Sequence, residues 1–306
     1  MVDISTNVGK LKLKNPTILA SGFLGVSASM LQRVANNGAG AVTTKSIGLE
    51  KRKGHHNPTV VEVTAGLLNA VGLSTPGINE SLDELKILLK KIRVPVIVSI
   101  YGKTVKEYGI IAERVSEIKP SMLEVNISCP NVEDEFGRPF GTDAKTSAHV
   151  TKIVKNNTKL PVAVKLTPNV TDIKPIAKSV EEAGADAITA INTLGPGMLI
   201  NIETKKPVLA NRTGGLSGPA IKPIAVRCVY DIYETVDIPI IGMGGIMNGK
   251  DAVEFVLAGA SAVGIGTGIL YRGIDIFDKV NKEIKTYMKE NHHKNLKQLI
   301  GKAHEE

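Results

Sequence analysis

The chain has 306 residues, 42% of them hydrophobic, with 30 glycines, no tryptophan, a formal charge of +8 and a pI near 9.3. Its two cysteines, Cys129 and Cys228, stand far apart. That spacing excludes a disulfide framework, a zinc site of paired cysteines, and an iron–sulfur cluster held by this chain alone, which takes about four Cys ligands. The basic residues are mostly lysines scattered over helical faces, so the charge reads as a solvated surface and no nucleic-acid partner is expected. The first residues are not a signal peptide and no long apolar run offers a membrane span, so a soluble, cytoplasmic protein is expected.

In chain order, the first pattern is Leu11 and Leu13 alternating with lysines over residues 10–15, which predicts a hairpin arm. Short β-branched runs then recur at residues 17–20, 41–44, 95–99, 122–126, 162–167, 187–191, 238–242 and 262–266. Amphipathic helical stretches follow them, for example over 82–92, 105–118, 173–183 and 252–258. Strands alternating with helices make βαβ units and a parallel sheet. The eight strand patterns predict an α/β fold, a closed (β/α)8 TIM barrel with the N-terminal hairpin at its bottom. Gly38-Ala39, Gly184-Ala185 and Gly259-Ala260 each stand between a helix and a strand, where glycine ends the helix. No linker or break in composition marks a second domain, so residues 1–306 are expected to form a single unit.

Three connections after strands are long, at 46–79, 127–142 and 192–217. Loops of that length in a compact domain usually carry function, and all three follow strand C-termini, the face where barrel enzymes keep their chemistry. The histidines, among them His55, His56, His292 and His293, have no matching Cys or acidic spacing. They read as surface residues, and no metal site is expected.

Gly242-Met-Gly-Gly245 follows the seventh strand and Gly264-Ile-Gly-Thr-Gly268 the eighth. Loops at these two places commonly bind a phosphate in barrels, because glycine lets backbone N–H groups approach the oxygens. The second run is not a dinucleotide fingerprint, since Ile269 stands where Gly or Ala is needed. One phosphate site without a dinucleotide unit points to a mononucleotide such as FMN.

The fourth strand runs into Asn126-Ile-Ser-Cys-Pro-Asn131 and a loop punctuated by Gly137, Pro139 and Gly141. A cysteine in such a polar loop reads as a reactive thiol, whereas Cys228, inside the helical stretch 221–233, reads as a core residue. Lys45 and Lys165 end apolar strands, which points them into the active-site mouth. Asn69, Asn126, Asn131, Asn192 and Thr193 add neutral donors and acceptors, matched to a ring of alternating C=O and N–H groups.

With Asn69-Ala-Val-Gly-Leu73, Val164-Lys-Leu-Thr-Pro-Asn169, Ile191-Asn-Thr193 and Gly214-Gly-Leu-Ser-Gly-Pro-Ala-Ile-Lys-Pro223, these motifs stand in an order that resembles the dihydroorotate dehydrogenase family. They are most similar to its class 1B catalytic, FMN-binding subunit, over residues 11–271 or so. The resemblance implies oxidation of dihydroorotate to orotate in pyrimidine (UMP) biosynthesis, with Cys129 as the base at C5 and hydride passing from C6 to the flavin. It places Lys165 at the flavin N1/C2 carbonyl and Lys45 between flavin and substrate carboxylate. Asn69, Ala70, Val71, Gly72, Leu73, Asn126, Asn131, Asn192 and Thr193 would hold the pyrimidine. Ser21, Ser46, Asn126, Ile191, Gly218, Gly244, Gly245, Gly266 and Thr267 would line one FMN per chain. Ser99 is a departure: an Asn is expected there, and a serine is shorter.

The resemblance further implies a homodimer, paired into a heterotetramer with a second subunit that carries FAD and an iron–sulfur cluster and passes electrons to NAD⁺. A fumarate-reducing class 1A-like enzyme is the nearer alternative, and the Gly214–Pro223 motif argues for 1B. A tRNA dihydrouridine synthase is the further one, and it would need an RNA-gripping domain that the residues after Tyr271 are too few to form. A non-catalytic FMN-binding barrel is disfavoured by the joint presence of Cys129, Lys165 and the asparagines.

Overall fold

The strands β1 (Thr17–Leu19), β2 (Ala41–Thr43), β3 (Val96–Ile100), β4 (Met122–Asn126), β5 (Val162–Leu166), β6 (Ala187–Ala190), β7 (Ile240–Met243) and β8 (Ala260–Ile265) form a closed parallel barrel. This is seen in a computed structural model that describes residues 2–128 and 140–305. All but one of the positions in these strands are buried, as parallel strands covered on both faces must be. The ring is completed where β8 pairs with β1 through Val263 and Thr17. The expected (β/α)8 architecture is therefore present among the described residues.

Helices α1 (Ala28–Asn36), α2 (Ile78–Leu89), α3 (Val105–Ser116), α4 (Ala144–Asn156), α5 (Lys174–Glu182), α6 (Lys222–Tyr233) and α7 (Gly249–Leu257) return the chain between strands. The short α8 (Gly268–Arg272) and the long α9 (Ile276–Glu290) follow β8. The helix starts are set locally. Ser27, Thr104 and Asp143 accept from N–H groups in the first turns of α1, α3 and α4. Asn248 and Asp251 form a capping box on α7, and α5 and α6 carry proline in the first turn. Helix α2 begins about a turn earlier than the periodicity predicts, because Gly77 and the Ser81 hydroxyl on its carbonyl start it.

The hairpin Thr6–Val8/Leu11–Leu13 plugs the bottom, as expected. Val8, Leu11 and Leu13 pack into one cluster with Ile18, Ala41, Ile97, Met122, Ala163, Ala187, Ile241 and Ala262.

The top differs from the expectation of open loops. Val60–Val63, Gly66–Asn69, Gly214–Ser217 and Leu194–Gly197 pair into a four-stranded antiparallel sheet that joins two of the three long connections. Glycine hides three of these strands from a periodicity search, yet the sheet needs it. A side chain at Gly214 would strike the Asn69 carbonyl, and one at Gly66 the Ser217 carbonyl.

Two histidines also differ from the surface reading. His304 stacks on Tyr230 at 3.7 Å between ring centroids and lies against Tyr233, and His55 contacts the Ala70 carbonyl at 3.0 Å. Cys228 is buried in α6 as expected, and burial raises its thiol pKa. Among the described residues no helix is long and apolar enough to cross a membrane.

Candidate active site

Inside a barrel strand every second side chain points inward. On β3 that places Ser99 above Ile97, on β4 Glu124 and Asn126 above Met122, on β5 Lys165 above Ala163, and on β6 Thr189 above Ala187. The floor is apolar and the mouth polar.

The Ser46 hydroxyl is the hub of the mouth. It shares a hydrogen bond of 2.9 Å with Ser99, accepts from Asn126 Nδ2 at 3.1 Å, and stands 3.5 Å from the Ser21 hydroxyl. Asn126 Oδ1 in turn accepts from Ser128 N–H at 3.2 Å and from Asn192 Nδ2 at 3.4 Å, and Asn192 Oδ1 accepts from Thr193 N–H at 2.8 Å. The structure thus brings Ser21, Ser46, Ser99, Asn126, Asn192 and Thr193 into one neutral network spanning five of the eight strand ends. Ser99, where the resemblance leads us to expect an asparagine, bonds Ser46.

Two lysines flank this network in different surroundings. Lys165 is 5% exposed, and its Nζ stands 4.0 Å from Oε1 of Glu124, which is 2% exposed. Neither that Glu124 oxygen nor the buried Thr189 hydroxyl has a hydrogen-bond partner among the described residues. Lys45, just beyond β2, is half-buried and forms no ion pair with a described residue, and burial lowers its pKa. Lys45 and Ser46 also border a cavity of about 260 Å³ reaching Leu31 of α1 and Leu85 of α2. Glu124 and Thr189 escaped the sequence reading. Their signal was the inward register, since each stands two residues along its strand from a floor residue.

On the opposite side, Gly218, Gly244, Gly245, Gly266 and Thr267 converge. Gly244 and Gly245 adopt φ of 138° and 82°. A Cβ there would lie 2.5 Å from the Ala225 Cβ and 2.7 Å from the Gly218 carbonyl, so only glycine fits. Thr267 donates to the Ser217 hydroxyl at 2.8 Å, and nothing lies closer than 3.4 Å to the space beyond Gly266. The result is a backbone cradle with room for a phosphate-bearing group. Ile191 is buried beside it, its N–H bonded to the Met243 carbonyl.

The segment from Asn69 to Leu73 is fixed from behind. Asn69 donates to the Gly215 carbonyl at 3.2 Å across the top sheet. The carbonyls of Ala70, Val71, Gly72 and Leu73 are engaged by the His55 ring, the His55 N–H, Arg52 Nε and the Tyr101 hydroxyl. Arg52, His55 and Tyr101 carry no motif and were not foreseen. Cys129 and Asn131 lie outside the described residues. Ser128, immediately before them, is buried and donates to the Lys165 carbonyl at 2.7 Å. Among the described residues no group of three or more His, Cys, Asp or Glu side chains could hold a metal.

A family profile described as dihydroorotate dehydrogenase matches residues 3–288. Named relatives agree over nearly the whole chain. The catalytic subunit of dihydroorotate dehydrogenase B (NAD(+)) from Methanocaldococcus jannaschii is 50% identical over 305 residues, covering 99% of this chain and 98% of the relative. The protein of the same name from Methanothermobacter thermautotrophicus is 47% identical, covering 99% of each. That of Pyrococcus abyssi is 45% identical over 98% of this chain and 99% of its own. The polar mouth, the glycine cradle and these likenesses agree: the chain belongs to the dihydroorotate dehydrogenase family.

Proposed function

We propose that this chain oxidises dihydroorotate to orotate in pyrimidine biosynthesis in the cytoplasm, as the catalytic subunit of an NAD⁺-reducing enzyme with one FMN. The observation that carries this reading is the joined network of Ser46, Ser99, Asn126 and Asn192 beside a buried lysine and a glycine cradle. The residues fit FMN on two structural counts. The cradle's backbone admits no Cβ at Gly244 or Gly245, and buried polar atoms of Glu124 and Thr189 have no hydrogen-bond partner among the described residues. Gly218, Gly244, Gly245, Gly266 and Thr267 would hold the phosphate end, and Ser21, Ser46, Ser99, Ile191, Lys45 and Lys165 the ring. When bound, FMN supplies the two-electron acceptor for the hydride leaving C6 of the substrate.

The chain's own groups do the rest. Cys129 takes the C5 proton, a task suited to a thiol whose ordinary pKa of about 8.5 lies close to the working pH. Lys45 offers its charge to the substrate carboxylate. Asn69 through Leu73, Asn126, Asn131, Asn192 and Thr193 hold the pyrimidine by complementary donors and acceptors. Lys165 offers a cation to the ring's developing negative charge.

A partner subunit carrying FAD and an iron–sulfur cluster would take up the electrons, in a heterotetramer built on a homodimer of this chain. Support comes from the words "catalytic subunit" in the relatives' names and from the exposed side chains of Leu270 and Tyr271 on α8, just beyond the cradle. Anaerobic addition of dihydroorotate should bleach the flavin of the purified chain, and NAD⁺ reduction, followed at 340 nm, should require the co-isolated partner. A flavin that stays oxidised would overturn the substrate assignment, and efficient NAD⁺ reduction by the chain alone would overturn the partner.

A further inference from the structure

The proposed chemistry leaves Glu124 without a role. Its carboxylate is buried in the barrel interior, and Oε1 accepts no hydrogen bond from any described residue. Stability does not account for it. A buried ion pair is often no better than well-packed apolar side chains, and the neighbouring inward positions on β4 and β5 are apolar Met122 and Ala163. The register fixes its place relative to Lys165. Lys165 pairs across the strands with Asn126, whereas Glu124 pairs with Ala163, one inward step nearer the floor. The carboxylate therefore lies behind the ammonium and the mouth lies in front of it. The separation of 4.0 Å is longer than a charge-assisted hydrogen bond of about 2.8 Å. At that distance the attraction to Glu124 uses none of the three ammonium N–H donors.

We propose that Glu124 is a positioning residue for the flavin's redox balance: from the floor side it holds the Lys165 ammonium by charge alone and offsets the field which that lysine presents to the ring. The inference rests on the reading of the mouth as an FMN site. A lone buried cation under the ring would favour the reduced, negatively charged flavin and hold the electrons there. The carboxylate behind it makes the pair neutral overall while leaving the lysine's donors facing the mouth. The flavin is then reducible by substrate and still able to pass its electrons on.

The test is a redox titration of the FMN-loaded chain against an indicator dye, for the parent, Glu124→Gln and Glu124→Asp. Glutamine keeps the shape and removes the charge. Its reduced-to-oxidised ratio at a given potential should rise about ten-fold, an upward shift of about 30 mV for a two-electron couple. Aspartate keeps the charge but withdraws it by one methylene, and its potential should fall between the other two. It retains the ion pair and so decides the matter if the glutamine variant does not fold. A purely structural carboxylate would leave the potential of folded, flavin-loaded protein where it was, and an unchanged or lowered potential overturns the inference. FMN stoichiometry of the parent, read from its absorbance, separates the two claims: a parent that binds no FMN overturns the site reading itself, and the inference with it.

Discussion

The floor and the mouth of this barrel are made from the same strands and differ by one inward step. In the floor, Ile97, Met122, Ala163 and Ala187 meet the hairpin's Val8, Leu11 and Leu13 in a wholly apolar cluster. Two residues further along those strands stand Ser99, Glu124, Lys165 and Thr189, all buried and all polar. That step is about 6.7 Å of strand. Below it, close packing holds the barrel shut. Above it, two buried polar atoms, on Glu124 and Thr189, have no hydrogen-bond partner among the described residues. An interior of this kind makes sense where a ligand completes it.

The comparison can be broken in four ways. The largest effect is expected beyond the mouth's fourth strand. Cys129→Ala should slow anaerobic flavin reduction about 10²–10⁴-fold while orotate still binds, as the loss of a general base does. A full rate in stopped flow would remove the cysteine from the mechanism. In the floor, Met122→Ala should lower unfolding stability by about 2–5 kcal/mol through the cavity it leaves. The flavin that remains bound should be reduced at the parent rate, and a slowed rate would show that the two halves are not separable. Gly245→Ala tests the cradle. With φ at 82° and the Gly218 carbonyl in the way, the variant should lose FMN affinity by about 1–3 kcal/mol in fluorescence titrations. Retained affinity would move the phosphate elsewhere. The smallest effect is expected at Ser99→Ala, which removes the hydroxyl bonded to Ser46 and should cost about 1 kcal/mol in FMN binding. Loss of all FMN there would mean that the network is more cooperative than its pairwise bonds imply.

The floor was readable before the mouth. β-branched runs and Gly-Ala junctions mark the barrel directly, because a strand buried on both faces leaves a dense apolar signature, and the Leu11/Leu13 alternation marked the plug. In the mouth, motifs singled out Lys45, Lys165, Asn126 and Asn192, which the structure gathers together. Glu124 was passed over because a lone carboxylate in an apolar run resembles noise until the inward register is known. The top sheet was passed over because three of its four strands carry glycine and its two hairpins meet only across a long stretch of chain. Arg52, His55 and Tyr101 act on backbone carbonyls, a task any donor can perform and no motif records.

That top sheet bears on how the molecule comes into being. Asn69 is tied to Gly215, a residue 146 positions away, and the two strands pair antiparallel across most of the intervening barrel. Contacts of such sequence separation form late in folding, after the loop between them has been closed. A growing chain makes the hairpin early, but the apolar floor that receives it waits for Ala262, after the top sheet already has all of its residues. In the finished protein, amide exchange should be fastest in this four-stranded lid and slowest in β3 to β5. The rim can then loosen to admit a ligand as a unit of its own, without any slackening of the barrel beneath.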